Sequence, residues 1–200
     1  MSFLRTLVLV VASALILPSV ALAHSAEGIA GGAISGFLHP LAGPDHLLAM
    51  LAVGLWGAQL GRPLIYALPI VFPLIMALGG VLGIMSVPMI AVELGIALSA
   101  LVLGLAIIAA FRAPVPIAIA LVALFAVFHG YAHGAELPSA AEPLAYGLGF
   151  VVATGLVHLA GVAIGLLNER PPAGPTVVRA GGGFVALSGA YFTAAAVGIV

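Results

Sequence analysis

The chain has 200 residues, of which 64% are hydrophobic and 6% charged, and its mean hydropathy is +1.36. A soluble domain carries about 25% charged residues, so this chain cannot cover a globule with water-compatible surface and belongs in lipid. A net charge of −1 excludes a nucleic-acid partner, which would need a basic patch, and the absence of cysteine excludes disulfides, thiolate metal sites and cysteine nucleophiles.

The first segment, "MSFLRTLVLVVASALILPSVALA", has a basic start at Arg5, an apolar core and the small-residue ending Ala21-Leu22-Ala23. It reads as a secretory signal peptide over residues 1–23, cleaved after Ala23. The mature chain, residues 24–200, would then begin at His24. A free α-amine and an imidazole on one residue can chelate a metal through two nitrogens, so His24 is a candidate for metal capture, with Glu27 close by.

Six apolar blocks follow, over about 28–60, 64–84, 87–111, 115–135, 143–167 and 177–199. Each reaches the ~20 residues that span a bilayer as helix. The breaks between them carry turn and charge signals: "GRP", "SVP", "RAPVP", "ELPSAAEP" and "NERPPAGP". The blocks are continuous rather than alternating, which excludes a barrel. The expectation is an all-α membrane protein, a bundle of six transmembrane helices in a single membrane domain. Arg62, Arg112, Arg170 and Arg179 fall at the odd-numbered loops, whereas Glu27, Glu136 and Glu142 fall at the N-terminus and the even loops. Basic residues stay in the cytoplasm, so the mature N-terminus and the C-terminus are expected outside. The pairs Gly32/Gly36, Gly79/Gly83 and Gly161/Gly165 have the small-xxx-small spacing of close helix packing.

Ionisable groups at membrane depth cost several kcal/mol and are functional candidates by default. The first block contains "FLHPLAGPDHLLAML". Pro40 and Pro44 lack the N–H groups that would serve the Gly36 and Pro40 carbonyls. His39 and Gly43, which precede them, are biased toward extended backbone. Pro44 suits the first turn of a new half-helix that also holds Asp45. The first helix is therefore expected to break, leaving His39, Asp45 and His46 around irregular backbone, as in the ion sites of transporters. The fourth block contains "VFHGYAHGAELP", which places His129, His133 and Glu136 on one stripe of one helix. Imidazole and carboxylate without thiolate suit divalent Ni, Co, Zn or Cu. A proton relay is the other reading of this stripe. Glu93 stands alone in the third block, either facing the pore or snorkelling outward. His158, in "GLVHLAG", is either a structural hydrogen-bonding group or a further metal ligand.

The motifs "HPLAGPDHLLAMLAVG" and "FHGYAHGAELP", behind a cleavable signal, resemble the HupE/UreJ family of nickel permeases over essentially the whole mature chain. In that family the first motif's His, Asp and His are the key uptake residues, which implies His39, Asp45 and His46. The resemblance also implicates Glu93 and Glu136. The wider nickel/cobalt transporter class has four residues between the His and the Asp-His, whereas this chain has five, so the likeness is to HupE/UreJ specifically. It implies an inner-membrane permease, not an enzyme, that imports Ni2+ (or Co2+) as substrate and holds no prosthetic group. Nickel chaperones or hydrogenase and urease maturation proteins are the partners it suggests. Residues alone leave room for another divalent metal, and for an intramembrane metalloenzyme. Against the enzyme, "HGYAH" lacks the glutamate that follows the first zincin histidine, and no GxSxG elbow occurs. No GxxxxGK[ST] loop occurs, so ATP is not expected to drive transport directly.

Overall fold

The computed structural model describes residues 29–137 and 142–200. The signal-peptide reading, with Ala23, His24 and Glu27, lies outside the described residues. Those residues form seven α-helices and one short 3-10 turn, with no strand among them. The helices are α1 (Ile29–Ala42), α2 (Pro44–Leu60), α3 (Leu64–Ile84), α4 (Val92–Ile108), α5 (Val115–Ala135), α6 (Pro143–Gly165) and α7 (Ala173–Ala196), with the 3-10 turn at Leu166–Glu169 between α6 and α7.

Helices α3, α5 and α6 (with its 3-10 extension) are each long and apolar enough to cross a membrane. Helices α1 and α2 qualify as one bent pair, with 84° between them. Large apolar side chains face outward along these helices, among them Leu74 and Leu78 on α3 and Leu148 and Leu159 on α6. In water such a surface would drive aggregation, whereas in lipid it is the expected exterior. The chain is an all-helical membrane protein.

The bend has the cause its sequence suggests, at one residue rather than two. Gly43 is extended (φ −92°, ψ 108°), Pro44 opens α2, and Asp45 sits in its first turn. Pro40, by contrast, lies inside α1, so His39 is helical rather than extended. Two of the expected blocks shift. The third is helical only over 17 residues, Val92–Ile108, because Ala91 and Ala110 adopt left-handed backbone (φ 55° and 48°) on either side. The sixth starts four residues early, at Ala173, because Pro175 falls in the first turn, where a missing N–H goes unnoticed. Helix α6 stops at Gly165 and tightens into the 3-10 turn.

Close approach of backbones organises the bundle. A Cβ on Gly79 or Gly83 of α3 would run into the Val127 or Tyr131 carbonyl of α5. A Cβ on Gly130 or Gly134 would run into the Met76 or Gly80 carbonyl in return. The same reciprocity joins α2 to α6, through Gly54 against His158 and Gly161 against Leu51, and joins α1 to α6 through Gly36 and Gly149. Without a hydrophobic drive between helices in lipid, such contacts are what holds a bundle together. They hold α6 against both arms of the α1–α2 corner, where the site lies, and α5 against α3.

Candidate metal centre

The corner of the bent pair carries His39 at the last turn of α1 and His46 at the first turn of α2. Helix α5 presents His129 and His133 from its last two turns, and Glu136 from its C-cap, to the same place. The His39 and His133 rings lie 4.9 Å apart, His133 and His46 4.4 Å, and His46 and His129 4.8 Å, between centroids. Glu136 closes the outer end, with Oε2 3.5 Å from His39 Nε2. One ligand atom each from His39, His133 and Glu136 falls within 4.8 Å of the others, close enough to hold one ion together. The four rings and the carboxylate thus form a continuous ladder that runs from exposed Glu136 to His129, which is 1% exposed.

Hydrogen bonds fix which ring nitrogens are free. The Asp45 carboxylate accepts both the His46 backbone N–H, at 2.8 Å, and His46 Nδ1–H, at 2.9 Å. An ionised carboxylate only accepts, so the Nδ1 proton is committed and Nε2 keeps its lone pair. That Nε2 is buried without a partner. The Ser99 hydroxyl donates its one proton to the Ile96 carbonyl at 2.5 Å, so its oxygen accepts from His129 Nε2–H at 2.9 Å. His129 Nδ1 is then the lone-pair atom, and it too is buried and unpartnered. Orienting bonds of this kind from carboxylates and hydroxyls are typical of metal-ligating imidazoles. Both nitrogens of His133 are buried without partners. Leaving such groups unpaired costs about 1–3 kcal/mol each, a cost that a bound cation removes.

Aromatic rings frame the ladder. Phe150 packs on His133 at 4.4 Å, and Tyr146 edges His39 at 5.7 Å with its own hydroxyl buried and unpartnered. An apolar cleft of about 180 Å3 between α3, α5 and α6 reaches His133 past Met76, Gly130 and Phe150. On the deeper side, Phe72 packs against both the His129 and His158 rings, 5.4 and 5.2 Å from them. His158 is fully buried and outside the ladder. Glu93 is exposed in the first turn of α4, and no hydrogen bond or ion pair joins it to the cluster. Sequence reasoning missed Ser99, Tyr146 and Phe72. Ser99 left a usable signal as the one hydroxyl side chain in its apolar block. Phe72 and Tyr146 left none, because only packing brings them to the site.

The class is defined by these features: an all-helical membrane protein with a ladder of histidine and carboxylate, of a kind that could ligate a metal, around a broken helix. The chain matches the family described as "HupE / UreJ protein" over residues 11–192. It is 42% identical over 179 residues to "Protein HupE" of Rhizobium leguminosarum bv. viciae, covering 89% of this chain and 92% of that one. It belongs to the HupE/UreJ family of membrane metal transporters. No solved structure matches it.

Proposed function

We propose that this protein is an inner-membrane permease that imports a divalent transition metal, with Ni2+ as its main substrate and Co2+ as the nearest alternative. The observation that carries this reading is the convergence of four imidazoles and Glu136 at the α1–α2 corner. Neutral imidazole with carboxylate, and no thiolate, favours Ni2+, Co2+ or Zn2+ over Cu+ or Mg2+. His39, His133 and Glu136 take the ion first, and His46 and His129 receive it deeper. Asp45 and Ser99 hold the receiving rings in place.

We assign six spans: the bent pair, α3, α5 and α6, which are long and apolar enough to cross, with the shorter α4 and the less apolar α7 added to complete the six apolar blocks of the sequence. Arg62, Arg112 and Arg170 then lie inside, and Glu136 and Glu142 lie outside with both mature termini, on the periplasmic face. Residues 1–23 serve as the signal peptide. The ion enters at the exposed Glu136 end. Driving force is available without ATP. Each charge moving down 100 mV gains about 2.3 kcal/mol, or about 4.6 kcal/mol for a dication moving inward. Nickel chaperones or hydrogenase and urease maturation proteins would receive the metal.

The test is uptake at limiting metal by cells that lack other Ni2+ transporters. The wild type should accumulate Ni2+, and His39→Ala, His46→Ala and His133→Ala should abolish accumulation while leaving the protein in the membrane. Full uptake by His46→Ala would overturn the reading.

A further inference from the structure

The Tyr146 hydroxyl has no hydrogen-bond partner, although Tyr146 is 4% exposed and is the one buried tyrosine among the four of the chain. A phenol has a proton to donate and lone pairs to accept with. Burying it unpaired is costly, and phenylalanine would fill the same space without that cost. Backbone packing fixes its position. A Cβ on Gly36 would run into the Tyr146 carbonyl, and Gly36 and His39 are i, i+3 on one side of α1. The approach that seats α6 on α1 therefore also brings Tyr146 to His39, with ring centroids 5.7 Å apart. Phe150, one turn on, continues the cluster at 6.3 Å from the Tyr146 ring, 6.2 Å from His39 and 4.4 Å from His133. Among the described residues that line the apolar cleft, only His133 and Tyr146 have polar side chains.

The deeper rings show what such a group can do. Asp45 holds His46, and Ser99 holds His129. The outer group of His39, His133 and Glu136 can hold an ion together, yet among the described residues no side chain from outside the group orients it by a hydrogen bond. Its least fixed member is Glu136. That side chain is 58% exposed, stands at the C-cap of α5 and reaches His39 Nε2 only at 3.5 Å. Carboxylates that ligate a metal are themselves hydrogen-bonded, since an oxygen not on the metal still accepts. Glu136 is the charge that acts on the Tyr146 hydroxyl, and both residues lie against His39.

We propose that Tyr146 is a positioning residue for the transported cation: with the ion on His39, His133 and Glu136, its hydroxyl donates to the Glu136 oxygen that the ion leaves free. The inference rests on the permease reading and concerns how the outer end of the ladder captures its cargo. An ion that draws Glu136 toward the two histidines brings an acceptor to the buried phenol. The new bond then holds a solvent-facing carboxylate on the ion. It is charge-assisted, and such bonds are about twice as strong as neutral ones. Losing a group that orients a metal ligand weakens affinity about 10- to 100-fold, and the exposure of Glu136 puts this site at the lower end of that range.

The experiment titrates the full chain in lipid nanodiscs with Co2+, read by its visible absorption, beside thermal unfolding without metal. Wild type, Tyr146→Phe, Glu136→Ala and the double variant are compared. Tyr146→Phe removes only the hydroxyl. It should bind Co2+ about tenfold more weakly than wild type, with an unfolding temperature no lower, because no bond within the protein is lost. In the Glu136→Ala background the same change should weaken binding less than twofold, because the acceptor has gone. If Glu136→Ala binds too weakly to titrate, Glu136→Gln takes its place, and the loss there should stay under threefold. Wild-type affinity in Tyr146→Phe assigns the ring to packing and overturns the proposal. A lower unfolding temperature, or failure to reach the membrane, assigns the hydroxyl a partner within the protein and also overturns it. So do equal losses in both backgrounds, which would place the bond on an imidazole or on water held by the cargo. Failure of the permease reading looks different, because wild-type protein would then neither bind Co2+ nor accumulate it in proteoliposomes under an inside-negative potential.

Discussion

Asp45 accepts two hydrogen bonds from His46 and none from the other rings of the ladder, so its removal chiefly tests the value of orienting one imidazole. Asp45→Ala frees the His46 ring to rotate and to place its proton on either nitrogen. Loss of a group that orients a metal ligand weakens affinity about 10- to 100-fold, equivalent to about 1.4–2.7 kcal/mol. Asp45→Asn keeps an acceptor oxygen but not the charge. Charge-assisted bonds are about twice as strong as neutral ones, so roughly half of that energy should go, which is about a three- to tenfold loss. The side chain is 25% exposed, which leaves the bonds only partly screened. Titration of purified protein with Ni2+ in nanodiscs measures the three affinities, and thermal unfolding of the same samples separates weakened binding from lost fold. The ordering wild type, Asp45→Asn, Asp45→Ala is the required result. Wild-type affinity in Asp45→Ala would refute the orientation argument altogether.

Three further outcomes follow from particular contacts. Ser99→Ala strands the buried His129 Nε2–H, which should cost about 1–3 kcal/mol of stability and weaken Ni2+ binding about tenfold or more, read by unfolding and titration. Gly130→Ala drives a Cβ into the Met76 carbonyl and should destabilise the α3–α5 pair by about 1–3 kcal/mol, whereas Gly155→Ala, with nothing within 4 Å, should leave the unfolding temperature unchanged. Mass spectrometry of the mature protein should find His24 at the N-terminus, and His24→Ala should reduce Ni2+ uptake at low metal while leaving it nearly normal at high metal.

The broken helix was legible because proline chemistry is local. Gly43 is extended and Pro44 starts α2 for reasons contained in five residues. Pro40 shows the limit of that logic, since the helix absorbs it. The stripe of His129, His133 and Glu136 was equally plain, because an i, i+4, i+7 spacing becomes a face wherever a helix forms. That α5 meets the α1–α2 corner depends on glycines whose partners are backbone atoms of other helices, such as Gly130 on Met76. Twenty-six glycines make such partners unreadable in advance. Phe72 is one of nine phenylalanines, and only the packing of α3 on α5 and α6 brings it against two histidines. Glu93 showed an intramembrane carboxylate to the sequence, but the left-handed turn at Ala91 starts α4 late and leaves Glu93 exposed at its end.

Transport by the purified protein tests the central claim most directly. Proteoliposomes holding only this chain should accumulate Ni2+ when an inside-negative potential is imposed, without ATP, and should stop accumulating when the potential is collapsed. His46→Ala/His133→Ala proteoliposomes should stay at the level of empty vesicles. Accumulation by the double variant at the wild-type rate, or none by the wild type, would contradict the assignment of the histidine ladder as the path of the metal.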